Sequence, residues 1–539
     1  MQQADWILYN GVVHTLGAAG TAAALAVAGD RILAVGTREQ LEAFSGPDTR
    51  RTDLAGACVL PAFNDSHCHL RLTGEAAAKL NLRGAASREE IVERGRQYLR
   101  THTLRPGEWV VGYGFDHNIF PDKALPDLGT AQAISDRVPV LLDRVCGHVG
   151  AANLPALRLA GYTEATVITG GILDKGPDGR LNGIVREAAL DQIKMCIKKP
   201  DTPLVMDQLR AVMARLNSMG ITSAQSDDLE GSDLDTLLAA FSALEQSGEM
   251  TVRVFEEVQA ARLPVLRRFL ARGLRTGDGS PWFRIGNIKL LTDGSLGART
   301  GWLRQDYSDD PGNRGVPVYT QPQLDEVVLA AHQAGMQVAF HAIGDGAVEA
   351  AVTAVERAQR ACPGASLRHR IVHCQFADRA IFQRMAAAGI AADVQPSFTA
   401  SDWPLVRSRM GEAREAGAYA WKTMLDCGVH VEGGSDSPVE TPDPLWGIWC
   451  AVTRRDADGN PAGGWHPEQC LTMRQAVELY TTAGAWISFD EKRKGRLEPG
   501  MLADFTVLSQ DLLAIDPRDI MKTRVLRTVA GGKTCFERA

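Results

Sequence analysis

Short apolar runs broken by turn residues open the chain. Residues 6–9, 12–16, 24–28 and 32–35 are β-like, and Asn10-Gly11 and Gly29-Asp30 between them are hairpin signals. The last fifty residues have the same texture, in 503–508 and 525–536. Short strands with open edges are marginal alone, so the two ends are expected to pair into one small β-sandwich. Its N-terminal part spans 1–60 and its C-terminal part 491–539. Between them, apolar runs alternate with Ala-, Leu-, Arg- and Glu-rich stretches of helical period, the pattern of βα units around a parallel sheet. The candidate strands are 61–67, 222–225, 251–256, 284–291, 337–343, 368–374, 391–396 and 430–436. Eight such strands fit a closed (β/α)₈ TIM barrel, an α/β fold, over residues 61–490.

One interval breaks the rhythm. Roughly 150 residues separate the first and second candidate strands, far more than an ordinary connection, so this stretch must hold structure of its own. It is expected to be an insertion over about 71–215, containing the runs 109–116 and 138–143. Loops at the carboxyl face of a barrel are where substrates are recognised, which makes this the specificity insertion.

Composition narrows the class. Apolar residues at 45% and charged residues at 23% are ordinary globular usage, enough for a packed core. Lys and Arg number 58 against 65 Asp and Glu, a net charge of −7, with no dense basic run carrying interleaved aromatics. Nucleic acid is therefore not an expected partner. The start lacks a basic leader and apolar core, and no later apolar stretch is long enough to span a bilayer. The expectation is a cytoplasmic protein acting on a small molecule away from membranes, with homodimerisation left open. The ten cysteines form no Cys-X-X-Cys pair, so they read as reduced, mostly buried small hydrophobes rather than a disulfide or zinc-knuckle framework.

The chemistry begins at Asn64-Asp65-Ser66-His67-Cys68-His69. On a strand, alternate side chains share a face, so His67 and His69 converge while Cys68 turns away. Two neutral imidazoles at a strand end suit zinc or a similar ion. Lys289, inside Ile288-Lys289-Leu290-Leu291, is costly in an apolar strand unless compensated. It either snorkels to the surface or is carbamylated by carbon dioxide, becoming a carboxylate that bridges two cations. His341 and His373 end two further candidate strands, on the face where barrel catalytic groups collect. Either alone reads as an ordinary core or rim histidine, but four imidazoles on one face are hard to explain by packing. Asp436, in Gly433-Gly434-Ser435-Asp436, completes the set, its glycines allowing close backbone approach. Asp345 reads instead as the cap of the following helix.

Together these runs resemble the metal-dependent amidohydrolase superfamily, in particular the branch that includes N-substituted formamide deformylase (amidohydrolase family 3). The resemblance rests on Leu60 to His69, Asp293-Gly294-Ser295-Leu296-Gly297-Ala298-Arg299-Thr300, His341-Ala342-Ile343-Gly344-Asp345, Arg368 to His373, Gly434-Ser435-Asp436-Ser437-Pro438 and Leu497 to Asp504. It implies that His67 and His69 hold a first metal and that Lys289 is the carbamylated bridge. It further implies that His341 and His373 hold a second metal, and that Asp436 is a ligand that also moves protons. One departure is Val372, where relatives commonly carry Glu; by alternation it faces away from the metal. Gly114-Phe115-Asp116 and Arg144-Val145-Cys146-Gly147-His148 also resemble the branch, so Phe115, Asp116 and His148 are candidate substrate contacts.

The activity implied is hydrolysis of a carbon–nitrogen bond other than a peptide bond, in an amide, formamide or related small molecule. One or two divalent ions, zinc first among candidates, would activate water, and Asp436 would shuttle the proton to the leaving amine. Two other readings compete: metal-dependent deamination of a cyclic amidine, and a catalytically silent metal-binding regulator. The aromatics Phe115, Phe120, Phe398, Trp403, Trp446 and Trp449 hint at an apolar substituent on the substrate, although each also fits a core.

Overall fold

The structure, a computed structural model, describes residues 2–144, 148–229, 232–364 and 366–539. Its largest sheet has eight strands: β1 Phe63–Cys68, β2 Ile221–Ser226, β3 Arg253–Gln259, β4 Phe283–Leu291, β5 Gln337–Ala342, β6 Arg370–His373, β7 Ala391–Val394 and β8 Val431–Gly433. They pair in sequence order, each parallel to the next. Helices Leu234–Gln246, Leu263–Leu270, Gln321–Gln333, Asp345–Ala361, Arg379–Ala388, Phe398–Met410 and Pro444–Thr453 follow β2 to β8 in turn. The result is an α/β fold with a nearly closed parallel barrel.

The closure between β1 and β8 is made just past the ladder. Asp436 N donates to His67 O at 2.7 Å, and His69 N donates to Ser437 O at 2.8 Å. A Cβ on Gly434 would stand 2.6 Å from His67 N, so this approach requires glycine. The carboxylate of Asp65 accepts from Ser435 N at 2.9 Å and pins the same seam.

Strand ends differ from the sequence expectation at three places that matter. β3 runs on to Gln259 rather than stopping at 256, which brings Glu257 into the barrel. β8 stops at Gly433, so Asp436 lies on the turn beyond it, with φ of 56°. β6 ends at His373, whose φ is 73°. A positive φ at a non-glycine residue costs free energy that the surrounding structure must supply, and such residues cluster at functional sites.

Every barrel strand also buries a polar side chain: Asn64, Gln225, Glu257, Asn287, Gln337, Arg370, Asp393 and Glu432, none more than 3% exposed. Barrel interiors are ordinarily filled by branched apolar residues. Here Arg370 on β6 reaches Glu257 on β3 and the Ser66 carbonyl on β1, contacts between strands that are not neighbours and hence across the interior.

The chain ends supply two further sheets. One has four strands, Arg31–Gly36, Ala24–Ala28, Trp6–Tyr9 and Arg50–Asp53. The other has six: Lys533–Glu537, Val525–Ala530, Phe505–Leu508, Cys58–Pro61, Val12–His14 and Thr21–Ala22. Cys58–Pro61 pairs with Phe505–Leu508 antiparallel, and one apolar cluster takes Trp6, Leu25, Val59, Phe505 and Val529 from both ends of the chain. The Gly29-Asp30 turn joins an antiparallel pair as expected, but Asn10-Gly11 does not. The strands flanking Asn10-Gly11 enter different sheets, because Trp6–Tyr9 pairs with Ala24–Ala28 and Val12–His14 with Cys58–Pro61.

The chain divides into two compact units, Met1–Leu72 with Leu209–Ala539, and Thr73–Gln208. The second has its own six-stranded mixed sheet and two apolar clusters, one around Phe115 and Leu142 and one around Trp109 and Leu190. No helix among the described residues is long and apolar enough to cross a membrane. The described cysteines are free thiols.

Candidate metal centre

His67, on β1, and His69, one residue past its end, both turn to Asp436: His69 Nε2 lies 3.1 Å and His67 Nε2 3.4 Å from its Oδ1. Their rings are 5.2 Å apart between centroids. His373 stands edge-on to His67 at 5.7 Å and to His341 at 4.6 Å, so the four imidazoles form one cluster. Cys68 points elsewhere, its sulfur 3.5 Å from the Gln225 carbonyl.

Each ring has one nitrogen committed to a protein acceptor. His69 Nδ1 donates to the Asp227 carbonyl at 2.7 Å, His341 Nε2 to the Gly294 carbonyl at 2.9 Å, and His373 Nδ1 to Gln395 Oε1 at 2.7 Å. His67 Nδ1 lies 3.3 Å from Glu257 Oε2. These contacts orient the rings, turning Nε2 of His67, His69 and His373 and Nδ1 of His341 to the other side, where at His67 and His69 that nitrogen meets the Asp436 carboxylate. Orientation of this kind is what metal-ligating histidines require of their surroundings. The donor set, imidazole nitrogens with one carboxylate, fits a zinc-like divalent ion.

Lys289 Nζ lies 3.0 Å from His67 Nε2 and 3.2 Å from Glu257 Oε2. It does not snorkel: the residue is 2% exposed. Glu257 is its compensation, and the other oxygen of Glu257 meets Arg370, which in turn lies 3.1 Å from Asp393 Oδ2. Glu257, Arg370 and Asp393 were not singled out from the sequence. The signal was the pair Glu256-Glu257 inside Phe255-Glu256-Glu257-Val258, where alternation sends two acids to opposite faces of a buried strand.

Charge follows the geometry. Burial opposes ionisation of Glu257, but Lys289, Arg370 and His67 outweigh it and hold the carboxyl well below its usual range. Asp436 is held low in the same way by hydrogen bonds from His67 and His69. Burial and the Lys289 ammonium act against protonation of His67, yet Glu257 and Asp436 raise it to about 9. Such a proton occupies the kind of anionic, nitrogen-lined place that a cation takes over. His341 is pushed down to about 4 by burial, and His373 well below its usual value, which keeps both in the neutral form that can bind a cation. Asp393, with no such surplus of cations, is lifted by burial to about 7.

Asp345 corrects its expected role. It is the first residue of helix Asp345–Ala361 and makes no cap; its carboxylate takes Arg304 instead. The backbone N–H groups of Ile343 and Gly344 are received by Asp293, at 3.0 and 2.9 Å. Val372 is fully buried.

Of the candidate substrate contacts, Phe115 packs at 0% exposure into the core of the Thr73–Gln208 unit. Asp116 caps the turn His117–Ile119 and pairs with Arg144 at 2.9 Å. His148 is exposed and lies 3.0 Å from Glu187. Val145, Cys146 and Gly147 lie outside the described residues. Among the aromatics, Phe398 stacks on His373 at 6.1 Å, Phe120 is buried in the Thr73–Gln208 unit, and Trp446 and Trp449 stack on each other at 5.0 Å.

Residues 51–536 match a family described as the amidohydrolase family. The chain is 33% identical over 543 residues to the Bacillus subtilis protein YtcJ, named as an amidohydrolase, covering 99% of each. It is 25% identical over 560 residues to an N-substituted formamide deformylase of Arthrobacter pascens, covering 100% of this chain and 99% of that one. Among solved structures, an uncharacterized metal-dependent hydrolase from Pyrococcus horikoshii superposes with a TM-score of 0.79 at 28% identity, over 95% of this chain and 99% of that one.

Proposed function

Since this chain belongs to the amidohydrolase family, we propose that it hydrolyses the carbon–nitrogen bond of an amide, a formamide or a related small molecule at the centre built from His67, His69, Lys289, His341, His373 and Asp436. The observation that carries this reading is the complementary commitment of the four imidazoles, each held by one nitrogen with the other left as a donor. His67 and His69 with Asp436 would hold a first ion, and His341 with His373 a second. Zinc suits this donor set best, and Lys289 would bridge the ions once carbamylated. The two terminal sheets fit a sandwich joined to the barrel, with Thr73–Gln208 as an insertion.

A bound divalent ion lowers the pKa of water toward neutrality and polarises a carbonyl oxygen. The chain's own part is to place and move protons. Asp436 Oδ1, already the acceptor for His67 and His69, takes the proton of the attacking water and returns it to the leaving nitrogen. Gln395 and the Gly294 and Asp227 carbonyls keep the rings from turning. Phe398 sets an aromatic face beside His373, which favours an apolar or aromatic substituent on the substrate.

The test is the metal-loaded enzyme assayed against N-alkyl and N-benzyl formamides, acylated amino acids, carbamates and lactams. Release of an amine with a carboxylate is expected. Ammonia as the product would favour the deaminase reading, and no turnover across the panel would favour a regulator. Metal stoichiometry of Lys289→Ala settles the bridge: full activity with an unchanged metal count would remove it.

A further inference from the structure

A second group of unlike metal donors lies in the terminal sheets. His14 ends the strand Val12–His14, Cys58 begins Cys58–Pro61, and Asp511 follows Phe505–Leu508 by three residues. One nitrogen of His14, the sulfur of Cys58 and a carboxylate oxygen of Asp511 lie within 4.8 Å of one another. The sheet register produces this. Val12 pairs with Cys58 in parallel, so His14, two residues on, shares the face of Cys58. Leu508 pairs with Cys58 from the other side, which delivers the following turn to the same place.

The surroundings of each donor suit a ligand. His14 Nδ1 is 3.2 Å from Thr21 Oγ1, a hydroxyl able to accept its proton and so leave Nε2 as the lone-pair nitrogen. Asp511 Oδ1 is oriented by Leu513 N at 3.1 Å and lies 2.7 Å from His14 Nε2. The Cys58 sulfur faces the backbone N–H of Leu512. Cys58 is wholly buried, while the His14 and Asp511 side chains are 13% and 26% exposed, so an ion and a water can arrive from solvent. A plain His–Asp ion pair accounts for two of these residues; it gives no reason for a thiol and its amide partner to complete a mixed nitrogen, oxygen and sulfur set.

We propose that His14, Cys58 and Asp511 form a mononuclear site for zinc or a similar borderline divalent ion, with water as fourth ligand. The ion replaces the proton between His14 and Asp511 and spreads the two atoms to roughly 3.3 Å, the separation that tetrahedral bonds of about 2.0 Å require. The Cys58 thiol, pushed up to about 12 by burial, is inert by itself, but coordination removes its proton to solvent outright. The site is a clamp. It ties residues 497 positions apart, so the binding free energy of the ion becomes stability of the terminal sheets.

The test uses the full-length protein, stripped with a chelator and reloaded with Co²⁺. A sulfur-to-cobalt charge-transfer band is expected, which the imidazole and carboxylate donors of the barrel centre cannot produce. Cys58→Ser should abolish the band and lower the metal count by one ion per chain, with the barrel ion retained. His14→Asn alters a partly exposed residue and keeps the test readable if Cys58→Ser does not fold. It should lose the same ion, along with the rise in Tm that Zn²⁺ gives the parent. Absence of the band, its persistence in Cys58→Ser, or an unchanged metal count in His14→Asn would overturn the site. None of these outcomes depends on what the barrel centre catalyses.

Discussion

Lys289 Nζ and Glu257 Oε2 lie 3.2 Å apart, wholly inside the barrel, with Arg370 on the other oxygen of the same carboxylate. The two cations share one anion, and that anion also faces His67 Nδ1. Glu257 thus holds His67 and Lys289 in one place. Carbamylation would convert the lysine into an anion beside this carboxylate, an unfavourable pairing unless the metal ions arrive with it. Carbon dioxide and metal should therefore load together, bicarbonate hastening metal uptake by the stripped protein.

Glu257→Gln leaves the shape and removes the charge. Breaking a buried ion pair by removing one partner costs about 3–5 kcal/mol, because the remaining charge is stranded. Chemical denaturation of the metal-free protein should show a loss of this size, and metal content at the barrel centre should fall. Equal stability and an undiminished metal count would show that Arg370 and Lys289 find other partners.

Cys68 sits between two proposed ligands, but its sulfur is turned to the Gln225 carbonyl. Cys68→Ala should leave the metal count unchanged at a cost of no more than about 1–2 kcal/mol in packing. Loss of an ion in that variant, measured by elemental analysis, would put sulfur in the ligand set.

That these side chains gather in one cluster was legible because imidazoles and a lysine inside apolar runs stand out by type and by position near strand ends. His67, Lys289, His341 and His373 lie in the last residues of strands of one sheet, and His69 and Asp436 just beyond strand ends, a placement that the apolar runs of the sequence anticipate. Glu257, Arg370 and Asp393 were not legible. Strand periodicity marks which side chains share a face, but whether a charged residue on that face meets solvent or a partner across a barrel depends on strands far apart in sequence. Asn10-Gly11 failed for a related reason: the dipeptide permits a tight turn, and pairing with Ala24–Ala28 and Cys58–Pro61 decided where the flanking strands went. The burial of Phe115 in the apolar cluster of its own unit was likewise not legible, because that cluster gathers strands and helices spread over residues 80–151.

The seam between β1 and β8 is where a single methyl group should be felt. Gly434→Ala would set a Cβ 2.6 Å from His67 N and 3.2 Å from Asp65 Oδ1, both held by backbone hydrogen bonds. Overpacking of this kind costs about 1–3 kcal/mol. The strain falls between His67 and Asp436, so metal affinity in a chelator competition should drop together with stability. Parent-like affinity would mean that the seam has slack.

A buried histidine pair sets a further expectation for acid. Val338 N donates to His369 Nδ1 at 3.0 Å, so His369 must carry its proton on Nε2, which donates to His332 Nδ1 at 2.9 Å. His332 Nε2 then donates to the Cys362 carbonyl at 3.0 Å. The relay is filled with both rings neutral, and a further proton on His369 would break the bond from Val338. Burial, with His332 beside it, pushes His369 down to about 3 from an ordinary 6.5. A depressed pKa contributes stability that is fully present above 6.5 and is lost as pH falls below it, because the unfolded chain binds a proton that the folded one refuses. Each unit is about 1.4 kcal/mol, so unfolding at pH 4.5 should show a loss of roughly 3 kcal/mol from this group against pH 7.5. His369→Asn keeps the acceptor for Val338 and cannot titrate in this range. Its stability should be lower at neutral pH but flatter between pH 7.5 and 4.5 than that of the parent, and an equally steep acid loss in the variant would assign the effect to other groups.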